Sequence, residues 1–136
     1  MQLVEPPCPV RTRPRPSTVI AVAGGGAVGA ALRWGVGTTL TVAPGTWPWP
    51  TLIVNLIGCA LIGVAAQRLE RGSLRWDMIV TGVLGGFTTM SSFAVELNDL
   101  VDRGLGDRAL TYGLVTLGGG AGAVALGHLA PRRAAR

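Results

Sequence analysis

The sequence has no lysine, one histidine and two cysteines, and no aspartate or glutamate occurs between Glu5 and Glu70. Charged residues are 14% of the 136, well under the roughly 25% of an average soluble protein. They sit in short clusters between long uncharged apolar runs, which argues against a water-soluble globule. Cys8 and Cys59 stand far apart with His128 as the one other soft ligand, so neither a zinc site nor a disulfide framework is indicated. The net charge of +5 comes from arginine alone. A nucleic-acid binder spreads its basic residues over a folded face that follows phosphates. Here most arginines lie outside the apolar segments, and no nucleic-acid partner is expected.

What is present is apolar residues (49%) and glycine (21 residues) in four long runs. Residues 1–17 carry Pro6, Pro7, Pro9, Pro14 and Pro16 with Arg11, Arg13 and Arg15, a composition that cannot bury a core and reads as a disordered tail. From Thr18 to Val42 the one charge is Arg33, and at ~1.5 Å per residue the stretch is long enough for a ~30 Å hydrocarbon layer. It continues past any cleavable signal length. Pro44, Gly45, Pro48 and Pro50 break the chain, with Trp47 and Trp49 as rings suited to a headgroup boundary. Further spans are expected at about Thr51 to Gln67, Trp76 to Val95 and Ala109 to Ala130, with a polar connection from Glu96 to Asp107 and a basic tail over 131–136. The expectation is an all-α integral membrane domain of four transmembrane helices over 18–130.

Gly24, Gly26 and Gly29 satisfy a GxGxxG spacing after a β-branched run, as in a dinucleotide-binding turn. The ribose-binding acid about 20 residues on is missing, so close helix packing through small residues is the better reading. Gly25, Gly29, Arg33 and Gly37 recur on one helical face. This places Arg33 against protein, where it needs carbonyls, carboxylates or water. Asn55, Cys59 and Gly63 share a face of the second span, which makes Asn55 either helix glue or part of a polar path. In the third span Gly82, Gly85 and Gly86 precede Thr88, Thr89, Ser91 and Ser92. Glycine pairs and hydroxyls weaken a helix, and carbonyls freed inside a membrane must line a cavity or bind an ion. A break in the third helix is therefore expected. Tyr112, Thr116 and Gly120 share a face of the fourth span.

Three motifs in order, GGAVGAALRW at Gly25 to Trp34, TLIVNLIG at Thr51 to Gly58 and GGFTTMSSFAVE at Gly85 to Glu96, resemble those of the CrcB/Fluc family of fluoride channels. The resemblance implies two subunits packed antiparallel with pores along their interface. It also implies a structural Na⁺ held by the main-chain carbonyls of Gly85 and Thr88. Asn55 matches the family's pore amide, Met90 and Phe93 its two pore phenylalanines, and Thr88, Thr89, Ser91 and Ser92 would be further donors to F⁻. Tyr112 and Thr116 occupy its fourth-span polar track, and Arg33 its first-span arginine beside the vestibule. Met90 departs from the pattern, because a thioether has no aromatic edge with which to face an anion.

Passive F⁻ export across the cytoplasmic membrane is the leading reading, and no nucleophile or acid/base pair suggests an enzyme. One rival is a small multidrug-type exporter that exchanges protons for organic cations; it needs an intramembrane carboxylate, and Glu96 lies at a span's edge. The other is a non-transporting scaffold subunit. Arg11, Arg13, Arg15, Arg68, Arg71, Arg75, Arg132, Arg133 and Arg136 fall on one side against Arg103 and Arg108 on the other, nine to two. That favours cytoplasmic termini and a single orientation. With Met90, the imbalance favours a heterodimer with a related chain inserted the other way over a dual-topology homodimer.

Overall fold

The computed structural model describes residues 14–131 and is all-helical. The expected tails lie almost wholly outside these residues, as do Arg11, Arg13, Arg132, Arg133 and Arg136. Among the described residues four helices are long and apolar enough to cross a membrane: α1 (Pro16–Thr39), α2 (Trp49–Arg68), α3 (Leu74–Asp102) and α4 (Gly106–His128). Pro16 at the first position of α1 and Pro50 in the first turn of α2 sit where a missing N–H costs nothing.

The helices pack as two parallel pairs. Gly25 of α1 meets the Met78 carbonyl of α3, and one turn later Gly29 meets the Val83 carbonyl and the Phe87 N–H, so that any Cβ at either glycine would collide with backbone. In the same way Gly63 of α2 lies on the Val124 carbonyl of α4, and Gly127 of α4 on the Ala60 carbonyl. In lipid, where apolar side chains gain nothing by leaving their surroundings, close backbone approach of this kind is what holds helices together. The GxGxxG stretch is thus part of one continuous helix with no strand or turn at Gly24 to Gly29, and of its three glycines Gly29 is the one at which a Cβ would collide with α3.

Two boundaries differ from the sequence reading. α3 runs on through Glu96 and Asp99 to Asp102, where a polar connection was expected. Phe93, Leu97 and Leu100 recur along it, Leu100 is 2% exposed, and the stripe packs into a cluster with Leu52, Ala109 and Tyr112. Trp47 turns inward rather than outward, with its ring edge-on to Tyr112 at 5.8 Å, while Trp49 stays exposed. The first half of α3 is also irregular, since Asp77–Leu84 is wound as a π-helix beside the α1 glycines.

Candidate functional site

α3 is interrupted at Thr88 and Thr89. Their backbone is extended, with ψ of 157° and 121°, between the short helical turn Gly85–Phe87 and the downstream half Met90–Asp102. Glycines at 85 and 86 give the upstream half little side-chain packing, and Thr89 offers a competing cap. Its Oγ1 accepts from the Ser92 N–H at 3.1 Å and starts the downstream half. Thr89 Oγ1 also lies 3.1 Å from Ser92 Oγ and 3.2 Å from Ser91 Oγ. The Thr88 hydroxyl bonds back to the Leu84 carbonyl at 2.9 Å.

Two side chains from other helices secure the break. The Asn55 amide on α2 brackets Thr89, with Oδ1 accepting from its N–H at 2.8 Å and Nδ2 donating to its carbonyl at 3.0 Å. Arg33 on α1 donates from Nε to the Gly86 carbonyl at 3.2 Å. Arg33 is thus paired with protein, as its face predicted. The N–H groups that would complete the helix for Gly85 and Thr88 are those of Thr89 and Ser92. They are taken by Asn55 and by the Thr89 hydroxyl, so both carbonyls lose their helical partners.

Beyond the break lies a polar column. Glu96 accepts from the Thr51 hydroxyl at 2.6 Å and from the fully buried Tyr112 hydroxyl at 2.7 Å. Thr116, one turn along α4 from Tyr112, is buried, and among the described residues its hydroxyl has no hydrogen-bond partner. Phe93 is 4% exposed and packs on the Tyr112 ring at 5.2 Å.

The expected residues therefore do not form one cluster. Asn55, Thr88, Thr89, Met90 and Thr116 line a cavity of about 340 Å³ on one flank of the helix bundle, where Met90 is 69% exposed. Arg33, Thr89 and Ser92 line a second, more polar cavity of about 480 Å³ together with Thr51. Phe93 and Tyr112 face the core of the helix bundle, and Ser91 is exposed. Thr51 and Glu96 were absent from the sequence-derived site. Glu96 closes the third motif, and its position three residues after Phe93, on the same stripe, was the available signal.

Comparisons with known proteins agree on one family. A family model described as CrcB-like protein, Camphor Resistance (CrcB), matches residues 20–128. A protein of Chloroflexus aurantiacus named fluoride-specific ion channel FluC is 40% identical over 116 residues, covering 82% of this chain and 92% of its own. Fluoride-specific ion channel FluC 2 of Symbiobacterium thermophilum is 43% identical over 112 residues, covering 79% and 91%. Fluoride-specific ion channel FluC 1 of Mycobacterium bovis is 36% identical over 117 residues, covering 83% and 89%.

Proposed function

The chain belongs to the CrcB/Fluc family of fluoride channels, and we propose that it is a subunit of a passive, fluoride-selective exporter in the cytoplasmic membrane. The observation that carries this reading is the break in α3, where Asn55 brackets Thr89 at mid-span. A small anion stripped of water needs N–H and O–H donors in place of its hydration shell. One Asn55 N–H is spent on the Thr89 carbonyl, and the second is the proposed donor to F⁻. The hydroxyls of Thr89, Ser91, Ser92 and Thr116 extend the supply, while Phe93 packs into the core against Tyr112 and borders neither of the two cavities. Tyr112 hands its hydroxyl to Glu96 and serves the path by holding that carboxylate.

The Gly85 and Thr88 carbonyls fit the proposed Na⁺, since they are hard oxygens without helical partners and the Thr88 hydroxyl is engaged elsewhere. The ion would supply positive charge at the break that stabilises the released carbonyls. Everything else in the path is the work of side chains and backbone N–H groups.

The subunit is proposed to pair with a related chain of opposite orientation. Met90 is exposed on the cavity that such a partner would cover, and the partner's own aromatic residues would furnish the better pore. Arg15, Arg68, Arg71 and Arg75 lie at one end of the parallel helix pairs. Arg103, paired with Asp99, and Arg108, bonded to the Gly45 carbonyl, lie at the other. The richer end is assigned to the cytoplasm. Single cysteines placed in the tail and in the Leu105 turn should label from opposite sides only; two-sided labelling of both would mean a dual-topology homodimer.

The rival cation exporter would use Glu96 as its exchanging carboxylate, but both Glu96 oxygens already accept hydroxyl protons. Liposomes holding the complex captured through this chain should release fluoride and retain a cationic dye. Dye movement without fluoride release would reverse the assignment.

A further inference from the structure

A broken helix leaves carbonyls pointing forward from its upstream half, and each carries part of the negative end of that half-helix's dipole. In an anion path such a carbonyl repels the ion it faces. The Gly86 carbonyl is in that position, because the N–H four residues on, that of Met90, opens the next helical segment beyond the extended Thr88 and Thr89. It is met by Arg33 Nε, 53 positions earlier in the chain, at 3.2 Å.

The fold makes this meeting unavoidable. α1 and the upstream half of α3 run parallel and so close that a Cβ on Gly86 would collide with the Gly26 carbonyl and one on Gly29 with the Phe87 N–H. Arg33 stands one helical turn beyond Gly29, about 6 Å further along the axis. Side chains on a helix lean towards its N-terminus. The Arg33 side chain thus reaches back while the Gly86 carbonyl points forward, and the two converge. Lysine would bring a point charge on a flexible stem, whereas the guanidinium offers an N–H fixed in a plane.

We infer that Arg33 is a positioning residue for conduction: it holds the upstream lip of the α3 break by taking up the Gly86 carbonyl, as Asn55 holds the downstream lip through Thr89. The inference rests on the channel reading for its consequence, anion passage, but not for the bond itself. With Arg33 in place the Gly86 carbonyl is turned away from the path and its dipole is neutralised. Without it the carbonyl is bare, and Thr88 and Thr89 are tied on one side only.

Gly86–Phe87 is the single Gly–Phe peptide in the sequence. Labelling glycine with ¹³C at the carbonyl and phenylalanine with ¹⁵N therefore isolates the Gly86 carbonyl in a solid-state NMR spectrum of the reconstituted complex. Added ¹⁵N-arginine should show a through-space coupling between an arginine Nε and this carbonyl in the parent. In Arg33→Gln the coupling should vanish and the carbonyl resonance should move upfield. Fluoride efflux should fall at least tenfold in Arg33→Gln, whose shorter side chain offers only a neutral donor, and recover in part in Arg33→Lys, which restores a charged donor of comparable reach. The proposal is overturned by a parent protein without the coupling, or by Arg33→Gln passing fluoride at the parent rate. Should Arg33→Gln fail to assemble, the parent coupling and the Arg33→Lys efflux decide the matter. A parent that shows the coupling and passes no fluoride would overturn the channel reading and leave the clamp standing.

Discussion

Asn55 and Thr89 are joined by two hydrogen bonds, of 2.8 and 3.0 Å, that pair a side-chain amide with a main-chain peptide as one strand pairs with another. A helix interrupted inside a membrane has no water to satisfy its loose ends. Asn55 does so with an acceptor and a donor on one rigid group, which no carboxylate or hydroxyl can match at both Thr89 N–H and Thr89 carbonyl.

Asn55→Asp, when ionised, keeps the acceptor and sets a negative oxygen against the Thr89 carbonyl. Fluoride efflux should drop to the level of empty liposomes, while the complex still elutes as assembled. An unfolding assay should show a loss of about 1 to 3 kcal/mol. Parent-rate efflux from the assembled variant would reduce Asn55 to helix glue.

Tyr112→Phe removes one of two donors to Glu96, and Thr51→Val removes the other. Each should cost about 1 to 3 kcal/mol. Because both act on one carboxylate, the double variant should depart from the sum of the singles by at least about 0.5 kcal/mol. Additive losses in the same unfolding assay would mean that the column is not a unit.

Gly29→Ala and Gly24→Ala form a matched pair. A Cβ at Gly29 collides with the Val83 carbonyl, and one at Gly24 meets nothing within 4 Å. Gly29→Ala should give little assembled protein. Gly24→Ala should assemble normally, with up to about 1 kcal/mol gained from helix propensity. Equal yields of the two would contradict the parallel packing of α1 on α3.

Met90→Phe returns an aromatic edge to the cavity flank, where Met90 is 69% exposed. Fluoride efflux through the complex should rise. An unchanged rate would show that the pore bordered by Met90 carries no traffic.

The spans were legible because charge is so sparse that every cluster marks an end, and the break was legible because Gly85, Gly86 and four hydroxyl residues crowd nine positions ending at Phe93. The continuation of α3 to Asp102 was hidden by the acids Glu96, Asp99 and Asp102, which on their own read as a connection. Only with Tyr112 and Thr51 in place does Glu96 have partners inside the bundle. The inward turn of Trp47 depends likewise on Tyr112, 65 positions later. Arg33 was placed on the right face, but its partner Gly86 follows from the parallel pairing of two helices, which periodicity within one helix cannot reveal.

The most direct measurement is simultaneous fluoride and chloride efflux, read by ion-selective electrodes, from liposomes loaded with both salts and carrying the complex captured through this chain. Fluoride should leave rapidly after a potassium ionophore is added, while chloride stays inside at the rate of protein-free vesicles. Retention of both anions, or release of the two together, would contradict a fluoride-selective path through the α3 break.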